Sequence, residues 1–421
     1  MTRYFMRDTR LAALERMNYV IQAALSNTQR PECGQVTIPF PIPVDQYDKT
    51  IEMLQAIDLG FSVNRDCKVD EIDSRYFVLD SIKGTLVNID QLDYLAKRLD
   101  GFCSGEVSQF QAMAHKLGLN DITDFINLTY CCQRTTVITD FSDLEQIGKN
   151  HAITMNGGAM PMNQYQAVDG RKDALQLIQG GGETVTPFGV VYDNGMKLEP
   201  VYNGHQFPVY PYDGLFMVLE VTPKRGLAEG KNPEYLYLPA AEHQIERTLL
   251  RIGVTSPHDV QIRIDCNELP EKVDKALDIE HLSGDDLPAL NRMCRVIEPL
   301  TEADMEKLNA VVLMAGPRDI DEVYALVQNL DQFDFVPCVQ TPEEYGRYMI
   351  QESGRFEFDE NLDSFYNYKQ YGEQQLQLED GQFNKYGYVA YHGTMNLEEL
   401  MTEDPTEKYQ REQGHQMGGL C

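Results

Sequence analysis

Apolar residues near the start of the chain recur at helical spacing. Leu11, Leu14, Met17, Val20, Ile21 and Leu25 fall on one face, with Asp8 or Thr9 placed as N-cap. The pattern predicts one amphipathic helix over 8–26, packed on its own domain and interrupted by Pro31. Helical periodicity returns strongly after residue 287. Leu287, Leu290, Met293 and Ile297 form a stripe that ends near Pro299, and Thr301 caps a helix carrying Met305, Leu308, Val311 and Val312. Gly316-Pro317 stops that helix, and Asp319 opens a third with Ile320, Val323, Tyr324 and Val327. Thr341-Pro342-Glu343-Glu344 is a strong N-terminus for a fourth, carrying Tyr345, Tyr348 and Met349 and ending at Ser353-Gly354. Strands flank this cluster: 215–221, 234–239, the alternating Val260–Asp265, and Gly387–Tyr391.

The same order of signals occurs twice. Residues 89–150 align without a gap on 287–348 at a constant offset of 198. Identities include Leu92/Leu290, Ala112/Ala310, Gly118/Gly316, Asp121/Asp319, Leu128/Leu326 and Gly148/Gly346, and upstream Pro41 pairs with Pro239. This predicts an internal duplication. The expected organisation is an N-terminal helix (1–30), a first, degraded copy (31–152), a connector (153–212), a second copy (213–400) and a polar tail (401–421). The connector is rich in Gly, Pro, Asn and Tyr. It holds a possible hairpin from Val190–Tyr192 to Met196–Leu198 across Asp193-Asn194-Gly195.

Composition changes the picture through charge. With 36 Lys+Arg against 66 Asp+Glu, the chain carries −30, a field that repels nucleic acid and anionic membranes and attracts basic surfaces. No stretch of 18 apolar residues spans a membrane, and the N-terminus carries charges throughout with no signal-peptide core. Nine scattered cysteines without a C-x-x-C pair fit reduced thiols, so the expectation is a cytoplasmic protein.

Catalytic motifs are thin. The histidines form no H-E-x-x-H cluster, and His243 and Glu246 make only an i, i+3 pair. Gly180-Gly181-Gly182 lacks the Lys-Ser/Thr of a phosphate loop. There is no G-x-S-x-G elbow, and His392, between Tyr391 and Gly393, has no partner visible in sequence. No enzyme, metal or cofactor is expected.

Carboxylates are the remaining chemistry. Duplex DNA presents one charge per about 1.7 Å of axis, and acids three or four apart on a helix sit roughly 5–6 Å from each other. Such a surface is expected in the second copy from Asp285, Asp286, Glu298, Glu302, Asp304, Glu306, Asp319, Asp321, Glu322, Asp331, Asp334, Glu343, Glu344, Glu357, Asp359 and Glu360. Glu298, Glu302 and Glu306 step by four, whereas Asp319, Glu343 and Glu344 also serve their own helices. The first copy offers Asp70, Glu71, Asp73, Asp90, Asp93, Asp100, Glu106, Asp121, Asp124, Asp140, Asp143 and Glu145.

The span 213–393 resembles the ArdA antirestriction proteins of conjugative elements. The matching features are the first strand and Gly-containing turn, the Leu238-Pro239 step into a helix, and the Ile262–Asp265 strand. They continue through Asp285-Asp286, the Pro342–Gly346 helix start, Leu362–Gly372 and Gly387-Tyr388-Val389. Residues 35–150 look like a second copy without the closing Tyr-rich piece. The resemblance implies an elongated α+β fold of small mixed sheets and short helices, with acids spread along one surface as a mimic of duplex DNA. It implies inhibition of type I restriction-modification enzymes by occupying the DNA groove of the methyltransferase-specificity core, without metal or cofactor. Family members are typically dimers, and a duplicated chain has the alternative of a monomer with a pseudo-repeat. Two other readings stay open. One is an acidic inhibitor of another DNA-targeting defence enzyme, such as an RNA-guided nuclease; the other is a non-catalytic regulatory or scaffold protein of a mobile element.

Overall fold

The computed structural model describes residues 19–210, 216–224, 233–277 and 282–402. Two compact units result: unit 1 gathers Met1–Asp213, Gly230–Tyr235 and Ala241–Thr255, and unit 2 gathers Gly214–Glu229, Leu236–Ala240 and Ser256–Cys421. Helices and small antiparallel sheets mix in both, so the class is α+β.

The first described element of unit 1 is a strand, β1 (Ile21–Asn27), within the stretch where a helix was expected. Of the 8–26 stretch, residues 8–18 lie outside the described residues. Ile21, Ala23 and Leu25 alternate with Gln22 and Ser26, and Ile21, Ala23 and Leu25 have no exposed surface. Burial between two neighbouring strands outweighs the 3.6-residue spacing. These neighbours are β2 (Gln35–Phe40) and β3 (Cys67–Ser74), both antiparallel to β1, with Ile21 opposite Phe40 and Ser74. The short β4 (Leu86–Val87) completes the order β2-β1-β3-β4.

Helix α1 (Val44–Gln55) buries Tyr47, Thr50, Ile51 and Leu54, one turn apart on one face. Next comes a cluster of α2 (Ile89–Asp100), α3 (Ser104–Leu117) and α4 (Ile122–Leu128). Asn88 and Gln91 form a capping box on α2, and the Asp121 side chain accepts the Thr123 N–H at the start of α4. Gly118 ends α3 at φ 65°, a left-handed turn that a side chain would strain. Phe40, Leu54, Leu92, Phe110 and Phe125 share one core.

The stretch expected as a connector is structured. After β5 (Thr136–Ile138) follow α5 (Leu144–Met155), α6 (Met162–Ala167), α7 (Gly170–Gly180), β6 (Thr184–Thr186) and β7 (Gly189–Tyr192), with strand order β5-β7-β6. The expected hairpin partner is corrected with it. β7 pairs with β5 and β6, whereas 196–198 form no strand, and Asp193-Asn194-Gly195 closes a turn through Met196 N–H to Asp193 C=O. Residues 202–210 are fastened by rings: Phe207 stacks on Tyr94 and Tyr202, and the Arg98 guanidinium lies 4.1 Å from the Tyr130 ring centre and 4.3 Å from that of Tyr210.

A titratable contact sits beneath α5. The Asn194 amide donates to Thr136 Oγ1, which lies 2.8 Å from His151 Nδ1. Burial holds the His151 pKa below its ordinary value, against a smaller upward pull from Asp173. A lowered imidazole favours the neutral form in the fold, so its stabilisation is present above about pH 6.5 and is lost as pH falls below that. Thermal unfolding at about pH 7.5 and 5.5 should therefore show a larger acid loss for the wild type than for His151→Gln. Equal losses would remove His151 as a source of acid lability.

The second set of elements follows the first in order. β8 (Met217–Pro223), β9 (Glu234–Leu238), α8 (Glu242–Arg251) and β10 (Val260–Asn267) come first, with strand order β10-β8-β9. Then come α9 (Glu271–Ala276), α10 (Leu287–Ile297), α11 (Glu302–Ala315), α12 (Ile320–Gln328) and β11 (Phe333–Pro337). The run closes with α13 (Pro342–Gln351), α14 (Tyr368–Glu379), β12 (Gln382–Asn384), β13 (Gly387–Tyr391) and α15 (Leu397–Thr402). Ser104–Leu117 corresponds to Glu302–Ala315 and Thr184–Thr186 to Gln382–Asn384, an offset of 198 in each. Strand order β5-β7-β6 reappears as β11-β13-β12. Details recur as well. Asp93 Oδ1 accepts the Ile42 N–H at 2.7 Å, and Asn291 Oδ1 accepts the Ala240 N–H at 2.8 Å, at the same offset. The stretch 170–192 thus supplies in the first set the helix and strands that the closing Tyr-rich piece supplies in the second.

One break between the units falls at Asp213/Gly214, and two short pieces of the following chain, Gly230–Tyr235 and Ala241–Thr255, belong to unit 1. α8 belongs to unit 1, packed against α1, and Asp48 of α1 accepts the N–H groups of Glu242 and His243 at the N-terminus of α8.

Candidate functional site: carboxylates of the second helical cluster

Four of the expected acids are built into helix starts. Asp286 accepts the Ser283 N–H at 2.8 Å, and Asp304 accepts the Thr301 hydroxyl at 2.7 Å. Asp319 accepts the Glu322 N–H at 2.9 Å, and Glu344 accepts N–H groups from Gln340 and Thr341 at 2.8 and 3.0 Å. Those backbone bonds, with the Thr341 hydroxyl, hold the Glu344 carboxyl below its ordinary pKa. Each such contact satisfies a helix N-terminus and needs no partner protein to explain it.

Others are paired. Asp285 lies 3.0 Å from His258 Nδ1, Asp321 receives Arg292 at 3.0 Å, and Asp334 lies 3.9 Å from His392 Nε2. Asp359 caps the turn that begins at Glu360 through the Asn361 N–H. Glu322 is a correction: it is 5% exposed and does not belong to the surface. Arg318 donates to it from its backbone N–H at 2.6 Å and from its guanidinium at 2.7 Å, and this hydrogen bonding keeps its pKa down despite burial.

The i, i+4 set of Glu298, Glu302 and Glu306 is also corrected. Glu298 stands at the C-terminal end of α10, and Pro299-Leu300-Thr301 breaks the chain before Glu302 starts α11. Only Glu302 and Glu306 share a helix, because Pro299 cannot continue α10 and Thr301 caps the next. Asp90 and Asp93, offered from the first copy, are buried as well.

What remains is a set without ion pairs, of which Asp331 and Glu360 stand in the first turns of short 3-10 helices. Glu298, Glu306, Asp331, Glu357 and Glu360 carry no ion pair among the described residues, and all but the half-buried Glu306 are exposed. Glu298 sits where the dipole of α10 is negative, which costs its helix a few tenths of a kcal/mol instead of stabilising it. Lys307 is half-buried, its pKa lowered by burial, with Asp334, Asp304 and Asp331 pulling the other way.

Sequence reasoning missed a buried charge cluster in unit 1. Asp90 accepts the Tyr47 hydroxyl at 2.6 Å, Arg247 Nε at 3.1 Å and Arg251 Nη1 at 2.8 Å. Arg247 also donates to the Gly60 carbonyl at 2.7 Å and to Asn88 Oδ1 at 3.0 Å, and Arg251 Nε reaches Glu234 Oε1 at 2.7 Å. Burial pushes the Asp90 carboxyl up, but Arg247 and Arg251 outweigh it and bring it to about 2. Burial dominates at Glu234, whose pKa is raised, and its Oε2 is buried without a hydrogen-bond partner among the described residues. The visible signal was the pair Arg247 and Arg251, one turn apart on a helix with apolar neighbours.

Among the described residues, no group of three or more His, Cys, Asp or Glu side chains is placed to hold a metal ion. Nor is any helix among them long and apolar enough to cross a membrane. The chain is an α+β protein of two units whose second helical cluster carries carboxylates without an ion pair among the described residues. No protein-family model matches it, and no curated protein aligns with it significantly.

Proposed function

We propose that the protein is an acidic decoy of duplex DNA that inhibits a type I restriction-modification enzyme by occupying the DNA groove of its methyltransferase-specificity core. It works in the cytoplasm without catalysis, metal or cofactor. The observation that supports this most is the set Glu298, Glu306, Asp331, Glu357 and Glu360, carboxylates that neither cap a helix nor join a salt bridge among the described residues. Carboxylates left without a salt bridge suit a partner whose cations are spaced for phosphates. The matching order of elements at an offset of 198 supports descent of both halves from one ancestral unit by duplication.

The test is competition. Increasing protein should displace a fluorescent duplex from a type I methyltransferase core, with affinity falling steeply between about 50 and 200 mM salt, as for DNA itself. Replacing the five acids by their amides should weaken inhibition at least tenfold and flatten the salt dependence. Single replacements should each cost about 1 kcal/mol or less. Unchanged DNA binding at excess protein would overturn the target. Competition at an RNA-guided nuclease instead would move the same decoy to another defence enzyme.

A further inference from the structure

Unit 1 holds a cavity of about 310 Å³, lined by residues 63–65, Asn88, Gln91, Thr123 and 203–205. In a chain with 66 acidic residues, no carboxylate lines it. Its floor is rigid and buried: Asn88 is 3% exposed and Gln91 2%. Asn88 Nδ2 donates to the Ser62 and Asn64 carbonyls at 3.2 and 2.7 Å, and its Oδ1 accepts from Arg247 and from the Asp90 N–H. Gln91 Oε1 accepts the Asn88 N–H at 3.0 Å, and Nε2 donates to the Tyr202 hydroxyl at 3.2 Å.

The rim has polar capacity left over. The Asn64 amide, Asn203 Nδ2 and the His205 ring make no hydrogen bond among the described residues, and all three residues are exposed. Arg65 stands between floor and rim. Asp121 takes both terminal nitrogens at 2.6 and 2.9 Å, and Thr123 Oγ1 takes another N–H, so the charge is neutralised and Nε–H and one Nη1–H are left over.

This chemistry selects a ligand class. An anion meets a guanidinium already balanced by Asp121, with Asp124 close enough to feel both charges. A cation finds no carboxylate in the wall. An apolar ligand would strip water from the amides, with Val63 the one aliphatic side chain to receive it. A nucleobase finds no Phe, Tyr or Trp in the wall, only the exposed His205 ring and the Arg65 guanidinium already held by Asp121. Hydroxyl groups, each both donor and acceptor, match a wall of amides, imidazole, Thr hydroxyl and guanidinium. We propose that this cavity binds a neutral sugar of one or two rings, with Asn88 and Gln91 shaping the floor and Asn64, Arg65, Asn203 and His205 bonding its hydroxyls.

The experiment is calorimetric titration of the full chain, with saturation-transfer NMR, using glucose, galactose, N-acetylglucosamine, maltose, uridine and inorganic phosphate as separate probes. At least one sugar should saturate with a Kd on the order of 1 mM. His205→Ala and Asn203→Asp should each weaken it at least tenfold with thermal unfolding unchanged. The aspartate keeps the oxygen that accepts the His205 and Gln206 N–H groups. The assignment is overturned if no sugar saturates at about 50 times that concentration, if uridine or phosphate saturates in place of the sugars, or if both variants bind sugar as the wild type does.

Discussion

Asp90→Asn should cost unit 1 about 3–5 kcal/mol, because it leaves Arg247 and Arg251 buried against Glu234 alone. Tyr47, Asn88 and the Gly60 carbonyl are aligned on the same cluster, so the loss should spread to α1 and to the start of α2. Urea unfolding followed by tyrosine fluorescence reads it directly, since the chain has 23 Tyr and no Trp. Hydrogen exchange of 242–251 should rise by a similar free energy. Replacing Asp90, Glu234, Arg247 and Arg251 together by apolar residues of similar volume should recover most of the loss, because no charge of the cluster is then stranded. A cost below about 1 kcal/mol for Asp90→Asn, with exchange of α8 unchanged, would mean that packing and not charge holds this helix.

The two carboxylates of the cluster act in opposite pH windows. Asp90 is lowered to about 2, so its contribution is present above the ordinary aspartate value and is lost as pH falls toward 2. Glu234 is raised, so its contribution is present below the ordinary glutamate value and is lost as pH rises through its folded one. Asp90→Asn should therefore remove acid sensitivity at the low end and reduce the Glu234 component without abolishing it, since burial is its largest cause and Asp90 a smaller one.

The helices of the second cluster were legible because their caps are local. Thr301 with Asp304, Asp319 with the Glu322 N–H, and Thr341 with Glu344 are readable within four residues of chain. β1 was not, since Leu25 fits a helical stripe and an alternating strand equally, and only β2 and β3, distant in sequence, decide between them. The acids divide on the same ground. Asp285 and Asp334 look free in sequence, yet each faces a histidine from another element. Glu322 looks like one more surface acid and is buried because Arg318 covers it. Asp90 is the extreme case. Its partners lie 157 and 161 residues away along the chain, beyond any local pattern.

Gly148→Ala and Gly346→Ala should produce losses that rank with that of Asp90→Asn and that fall in different units. At Gly148, where α5 crosses α7, a Cβ would stand 1.8 Å from the Gly170 carbonyl oxygen; at Gly346, where α13 crosses α14, it would stand 2.0 Å from the Tyr368 carbonyl oxygen. Neither obstacle is a flexible side-chain end. Both are backbone of the crossing helix, so the helices must separate, and overpacking of this kind costs about 1–3 kcal/mol or more. Gly372 deepens the second crossing, because its own Cβ would meet the Pro342 carbonyl at 1.8 Å. The two crossings occupy equivalent places at the offset of 198, yet their surroundings differ. In unit 2, Tyr345 and Tyr388 stack at 3.9 Å and both hydroxyls donate to Glu379 Oε2, whereas Ile147 and Val190 stand at the matching positions of unit 1. Separating α13 from α14 therefore also breaks the Tyr345 hydrogen bond to the Glu379 carboxylate, worth about 1.5–3 kcal/mol, so Gly346→Ala should be the more damaging. Hydrogen exchange resolved by segment checks this. Gly148→Ala should speed exchange in 144–192, Gly346→Ala in 342–391, and neither should change the other's segment. Equal, global acceleration by both would show that the crossings are not separate local devices, and no acceleration would show that the helices part without cost.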